Sequence, residues 1–248
     1  ANAAITYTIV GTKQVDYGTS VTTTNNGWTT AVTGVYLKAL HINNGDYFGD
    51  AVAISGDYAI VGATGEASNS INDPNNNAIA ASGAAYIFKT TDSGETWTQT
   101  AYLKASNREI YDYFGYSVAI YGDYVVVGAR LEDSNTMDNS GNHPSITNFN
   151  SGAAYIFKRD SGAETWTETE YLKASTTGQD DSFGASVAIS GDYIIVGARD
   201  QGTGSTGAAY IFKKDSDAET WTQKAYLQAE GPDEKHYFGA SVAISGDY

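Results

Sequence analysis

At 248 residues the chain is long enough to bury a sizeable core, and its 29 acidic against 14 basic residues give a formal charge of −15. That charge argues against nucleic acid or an anionic membrane surface as partner, and the absence of cysteine excludes a disulfide framework or a cysteine-based zinc site. Apolar runs such as YVVVGA (124–129) are far too short to cross a bilayer, so no membrane insertion is expected. The opening ANAA suits a mature end left by cleavage at a small-residue site, which with the acidic surface points to an extracellular or cell-surface location.

In chain order, YTIVG (7–11) reads as a short buried strand and GTSVTTT (18–24) as the next. WTTAVTGVYLKA (28–39) follows as an alternating strand opened by Trp28. From Phe48 a four-strand pattern begins, and its Phe-Gly start recurs at Phe114, Phe183 and Phe238. The unit is clearest from Phe183. FGASVAIS (183–190) alternates, Gly191-Asp192 makes a two-residue hairpin turn, and YIIVGA (193–198) is a continuous apolar run. GAAYIFK (207–213) and WTQKAYLQA (221–229) complete it. Successive Phe-Gly starts lie 66, 69 and 55 residues apart, while the loops between second and third strands (64–81, 130–150 and 199–205) hold 18, 21 and 7 residues. Removing that loop leaves 48 residues every time, so all length variation sits at one connection. The units expected are 48–113, 114–182 and 183–237, with a split unit of 1–47 plus 238–248, all in one domain.

The order FG, SVAI, Gly-Asp turn, VVVGA resembles the FG-GAP repeat found in integrin α-chain heads and in bacterial surface and secreted proteins. The resemblance implies an all-β fold, a β-propeller of four-stranded antiparallel blades, about four in this chain. It also implies a binding or adhesion role outside the cell. The family's calcium cage lies between the first and second strands, where this chain has only Gly-Asp, so that site is not carried over. A second resemblance concerns TTDSGETW (90–97), which is similar to the Asp-box turn of sialidase-type propellers, with looser versions at RDSGAETW (159–166) and KDSDAETW (214–221). The Asp-box is a fold marker: its aspartate caps turn amides and its tryptophan wedges between sheets.

Candidate chemistry is sparse. Only four arginines are present, too few and too scattered for the carboxylate-gripping cluster of a sialidase-like hydrolase, so no enzyme activity is expected. Asp46, Asp112 and Asp181 each stand two residues before a Phe-Gly. The favoured role is an Asx-type cap on the turn entering the first strand. The alternative is a Ca2+ site shared with oxygens of 72–77 or 132–139; no other cofactor is implied. The face carrying the long loops is expected to be acidic, with Glu66, Asp73, Glu132, Asp133, Asp138 and Asp200, and to serve recognition of a protein or glycan, with Asp73, Arg130, Glu132, Asp133, Asp138 and Arg199 as its candidate residues.

The two ends complement each other: the N-terminal stretch supplies strands two to four of a unit, and 238–248 supplies strand one. Tyr7, Ile9 and Val10 would meet Phe238, Val242, Ile244 and Tyr248 in a clasp. Three arrangements are open: closure within one chain, joining between copies into a filament, or a piece of a longer array.

Overall fold

A computed structural model describes residues 21–25, 28–32, 35–68, 76–133, 149–202, 204–231 and 235–246. Every regular element among them is a strand. The chain divides into two compact units, Ala1–Tyr36 and Leu37–Tyr248. In the first, β1 (Val21–Asn25) and β2 (Trp28–Val32) form an antiparallel hairpin in the register Val21↔Val32 to Asn25↔Trp28.

The second unit is a run of three four-stranded antiparallel meanders. Blade one contains β3 (Phe48–Ser55), β4 (Tyr58–Ala63), β5 (Ala84–Lys89) and β6 (Thr98–Leu103). Blade two contains β7 (Phe114–Tyr121), β8 (Tyr124–Ala129), β9 (Ala153–Asp160) and β10 (Thr165–Leu172). Blade three contains β11 (Phe183–Ser190), β12 (Tyr193–Ala198), β13 (Ala208–Lys214) and β14 (Trp221–Leu227). The Gly-Asp turns behave as expected, since Gly56, Gly122 and Gly191 take φ of 55–56°, the positive value a tight hairpin asks of its first central residue.

The apolar second and third strands of blades one and two are buried on both faces because blades pack against one another, while Ile195 and Ile211 of blade three stay half-buried. Ile60 and Ile87 of blade one meet Val118, Ile120 and Val127 of blade two, and Val126 and Ile156 of blade two meet Ile189, Val196 and Phe212 of blade three. Each Phe of the Phe-Gly start packs edge-on against its own third strand, Phe114 on Tyr155 and Phe157, Phe183 on Tyr210 and Phe212. Blades also touch through backbone. A Cβ added to Gly128 would lie 2.1 Å from the Gly184 carbonyl oxygen, and one added to Gly197 would lie 1.9 Å from that of Gly239. Only glycine permits so close an approach.

The segment 238–246 departs from expectation. It lies along β11, with the Ser186 hydroxyl donating to the Gly239 carbonyl at 2.7 Å and the Gly246 amide donating to Ser190 Oγ at 3.0 Å. Phe238 makes a single bridge to Gly207, and no ladder forms beyond it. The segment occupies a first-strand position, but a second strand to pair with it is missing from the described residues of this unit, so the alternating residues Val242 and Ile244 stay half-buried.

Candidate functional site

Two regions carry side-chain chemistry: the face with the long loops and the edges where blades join. On the loop face, the strongest polar arrangement is buried. In blade one Lys104 Nζ donates to Glu66 Oε2 at 2.6 Å and to Ser82 Oγ at 2.7 Å, while Glu66 Oε1 accepts the Ser68 amide at 2.9 Å. In blade two Lys173 Nζ donates to Glu132 Oε2, Ser151 Oγ and the Gly152 carbonyl, each at 2.7 Å. Tyr171 OH donates to the same carboxylate at 2.7 Å, and Asn107 Nδ2 donates to its other oxygen at 3.0 Å. Blade three builds the equivalent node without charge: Tyr210 OH donates to Gln201 Oε1 at 2.5 Å, and Gln201 Nε2 donates to Thr176 Oγ1 at 2.8 Å. Burial lowers the Lys104 and Lys173 pKa values below the usual range, against the opposing pull of their glutamates.

Glu66 and Glu132 must therefore be withdrawn from the recognition surface, since each is 1 % exposed and fully engaged inside its blade. An acid in a loop is normally solvated; these two turn inward because a lysine just past the fourth strand waits there. Asp133 is half-buried and accepts the Asn150 amide at 2.5 Å. Asp73 and Asp138, like Tyr7, Ile9, Val10 and Tyr248 of the clasp, lie outside the described residues.

Asp46, Asp112 and Asp181 occupy equivalent places in three separate turns and are not brought together. Each is buried and accepts the amide three residues upstream: Asn43 at 2.6 Å, Glu109 at 2.5 Å and Gly178 at 2.5 Å. Burial raises all three carboxyl pKa values; for Asp112 the charge of Glu132 adds to it. A calcium ion asks for six to eight oxygens, and among the described residues no group of three histidines or acids stands close enough to hold a metal. The amide contacts are those of an Asx-type cap, and residues 72–75 and 134–139, most of the loop oxygens of the Ca2+ alternative, lie outside the described residues.

Arg130 and Arg199 sit just past the ends of β8 and β12. Arg199 pairs with Asp200 at 3.3 Å and faces the Tyr237 ring at 5.3 Å. Arg130 faces two rings, Tyr116 at 4.6 Å and Tyr113 at 5.7 Å, and its buried Nε has no hydrogen-bond partner.

At the blade edges, the Asp-box turn forms as its residues indicate. Asp92 accepts from the Thr96 amide and the Thr90 hydroxyl, both at 2.8 Å, and from the Thr96 hydroxyl at 2.5 Å, which hold its pKa at about 2. The looser turns cap two amides each, on Asp160 and Asp215. Each looser turn also delivers a tryptophan to the preceding blade. Trp166 packs edge-on against Tyr58 with centroids 6.0 Å apart, and Trp221 against Tyr124 at 5.8 Å. Glu164 accepts from Tyr58 OH at 2.6 Å and pairs with Lys89 at 3.0 Å; Glu219 pairs with Lys158 in the same way. Arg159 binds Asp123, Glu164 and Tyr58 at this joint.

The family model of the FG-GAP repeat matches residues 36–88, 97–157 and 166–212. No curated protein matches the chain. Among solved structures, one match is the Saccharomyces cerevisiae protein Sqt1, at 8% identity and a TM-score of 0.43, covering 76% of this chain and 37% of that one.

Proposed function

The chain belongs to the FG-GAP repeat family, whose units cover most of residues 36–212, and on that premise we propose that it is a non-enzymatic extracellular module that assembles with copies of itself by completing a split blade. FG-GAP repeat domains are commonly extracellular and generally work without catalysis. The observation that carries the assembly is the segment 238–246, held along β11 in the place of a first strand with nothing described in its own unit to pair with its outer edge. An unpaired edge of this kind accepts a strand from another molecule. The N-terminal stretch has the sequence of strands two to four, and joining one copy's stretch to the next copy's segment gives an open, head-to-tail polymer. Sedimentation and electron microscopy of the full chain test this. Long polymers that disappear on deletion of residues 238–248 are expected, and a monodisperse monomer at high concentration would sink the proposal.

A second reading, ligand recognition by a monomer through the loop face, has one observation in its favour. Arg130 presents a cation flanked by two tyrosine rings and has no carboxylate partner among the described residues, a platform suited to an acidic side chain or an acidic sugar. Binding to an array of acidic glycans, lost in Arg130→Ala, would support it; an array without hits would not.

A further inference from the structure

Each blade is entered through a turn closed by its capping aspartate, and the middle pair of that turn differs from blade to blade. The pairs are Asn44-Gly45, Ile110-Tyr111 and Gln179-Asp180. In all three the second residue has a left-handed backbone, with φ of 92° at Gly45, 69° at Tyr111 and 61° at Asp180. The turn therefore accepts a side chain at this place, and the glycine of blade one is not a demand of the fold. What it changes is the chemistry of the residue before it.

An asparagine followed by glycine can be attacked by its own main chain, because no Cβ shields the next amide nitrogen. That nitrogen adds to the side-chain carbonyl, ammonia leaves, and a five-membered imide forms. Water opens the ring at either carbonyl, giving aspartate or isoaspartate; in the latter the chain runs on through the side chain. Neither an oxidant nor an enzyme is required. Ile110 has no carbonyl to attack, and Gln179 would have to close a slower six-membered ring.

Asn44 is placed for this reaction. Asn44 and Gly45 are exposed, and so are Ile110, Tyr111, Gln179 and Asp180 at the two internal junctions, so the exposure belongs to the turn. The Gly45 amide donates to no group among the described residues, and nothing stands within 4 Å of where a Gly45 Cβ would be. The other side of the turn is tied to the long loop of its own blade. The Asp46 carbonyl accepts the Gly65 amide at 3.1 Å, and Asn43 Nδ2 donates to Asn77 Oδ1 at 3.3 Å. A Cβ added to Gly65 would lie 1.9 Å from the Gly45 carbonyl oxygen, so the turn sits directly on the start of that loop. The Asn43 amide, donating to the Asp46 carboxylate at 2.6 Å, closes the turn around Asn44. Isoaspartate adds one main-chain atom inside this closed turn.

We propose that Asn44-Gly45 is a self-modification site, and that its conversion to isoaspartate releases the 43–46 turn from the start of the long loop at Gly65. The change runs one way, so the loop face of blade one carries a mark of age that the equivalent turns of blades two and three do not form.

The test holds the full chain for days in mildly alkaline buffer and maps it by trypsin digestion and fragmentation, with the free peptide 39–50 treated in parallel. The peptide 39–89 is expected to gain aspartate and isoaspartate at position 44, the second in excess; the pair Asn26-Gly27 falls on the separate peptide 14–38. An unconverted Asn44 in the folded chain when the free peptide has turned over would overturn the site. Hydrogen exchange reads the release. In the converted chain the Gly65 amide should exchange about ten-fold faster than in fresh protein, while the Asp200 amide, bonded to the Asp181 carbonyl in the equivalent place, should not change. Asn44→Gln, which copies the third turn at this position, should keep both amides slow after the same treatment. Unchanged exchange at Gly65 in the isoaspartate form, or the same acceleration in treated Asn44→Gln, contradicts the proposal.

Discussion

Eighteen residues past their Phe-Gly starts, the first two blades carry Glu66 and Glu132 and the third carries Gln201; just past the fourth strand stand Lys104 and Lys173, then Gln228. Acid and base change together, so the contrast is between a buried ion pair and a neutral node in one fold position. It tracks loop length. In every blade the main-chain carbonyl at this position accepts the glycine amide that closes the loop: Glu66 from Gly83, Glu132 from Gly152 and Gln201 from Gly207, each at 2.9 Å. In the first two blades the lysine adds a bond to the serine at the far end of the loop, Ser82 or Ser151. Closing the 21-residue loop costs only about 1 kcal/mol more than closing the 7-residue one. The clamp matters more for direction than for strength, since it fixes where a long loop leaves and re-enters the blade. Buried ion pairs give little net stability against neutral replacements, and the lowered lysine pKa values show how dearly the charge is held.

The contrast can be broken at its charges. Glu132→Ala leaves Lys173 buried without its counter-ion and should cost about 3–5 kcal/mol in a urea titration, whereas Gln201→Ala should cost about 1–2 kcal/mol. Equal losses would mean that the two nodes do the same work. The double change Glu66→Gln with Lys104→Gln converts blade one to the chemistry of blade three. It should lie within about 1–2 kcal/mol of wild type, well above the single variants, and the cycle of four proteins gives the coupling directly.

A smaller effect separates the capping aspartates from the nodes beside them. Asp112 has its pKa raised by burial and then by Glu132, so between 3.8 and the raised value the folded state binds the proton more tightly than the unfolded chain. Its contribution to stability is complete below that window and is lost as pH rises through it. Glu164 and Asp92, held at about 2, lose their contributions only as pH falls from the ordinary carboxylate range towards that value. The melting temperature should rise as pH is lowered through the raised value of Asp112, and Asp112→Asn, which keeps an acceptor for the Glu109 amide, should flatten the rise. The smallest effect expected is that of a chelator: EDTA should leave the melting curve unchanged, and a drop of several degrees would restore calcium to the turns at Asp46, Asp112 and Asp181.

The meanders were legible because one unit repeats. FGASVAIS, YIIVGA and WTQKAYL became β11, β12 and β14 with their expected starts, and turn chemistry set the ends. The same words at 238–246 did not make a ladder, because a strand needs a neighbour as well as a pattern. The inward turn of Glu66 and Glu132 escaped a reading by position, since acids in loops are presumed solvated. The signal was nevertheless present inside the chain, in the joint change of Glu and Lys to Gln and Gln at Gln201 and Gln228. The Tyr58–Glu164 and Lys89–Glu164 contacts join residues of different blades, and nothing local to either stretch announces them.

The glycines at the blade contacts carry a consequence for how such chains are inherited. Gly62, Gly128 and Gly197 admit the carbonyls of Gly115, Gly184 and Gly239, so the spacing between units is set by main chain on both sides. The side chains that complete the joint, such as Tyr58 and Tyr124 with Trp166 and Trp221, repeat from unit to unit and so stay matched. A duplication or loss of one whole unit, for instance 114–182, would bring together ends that already fit, and recombination between repeats can lengthen or shorten the array without inventing a new contact.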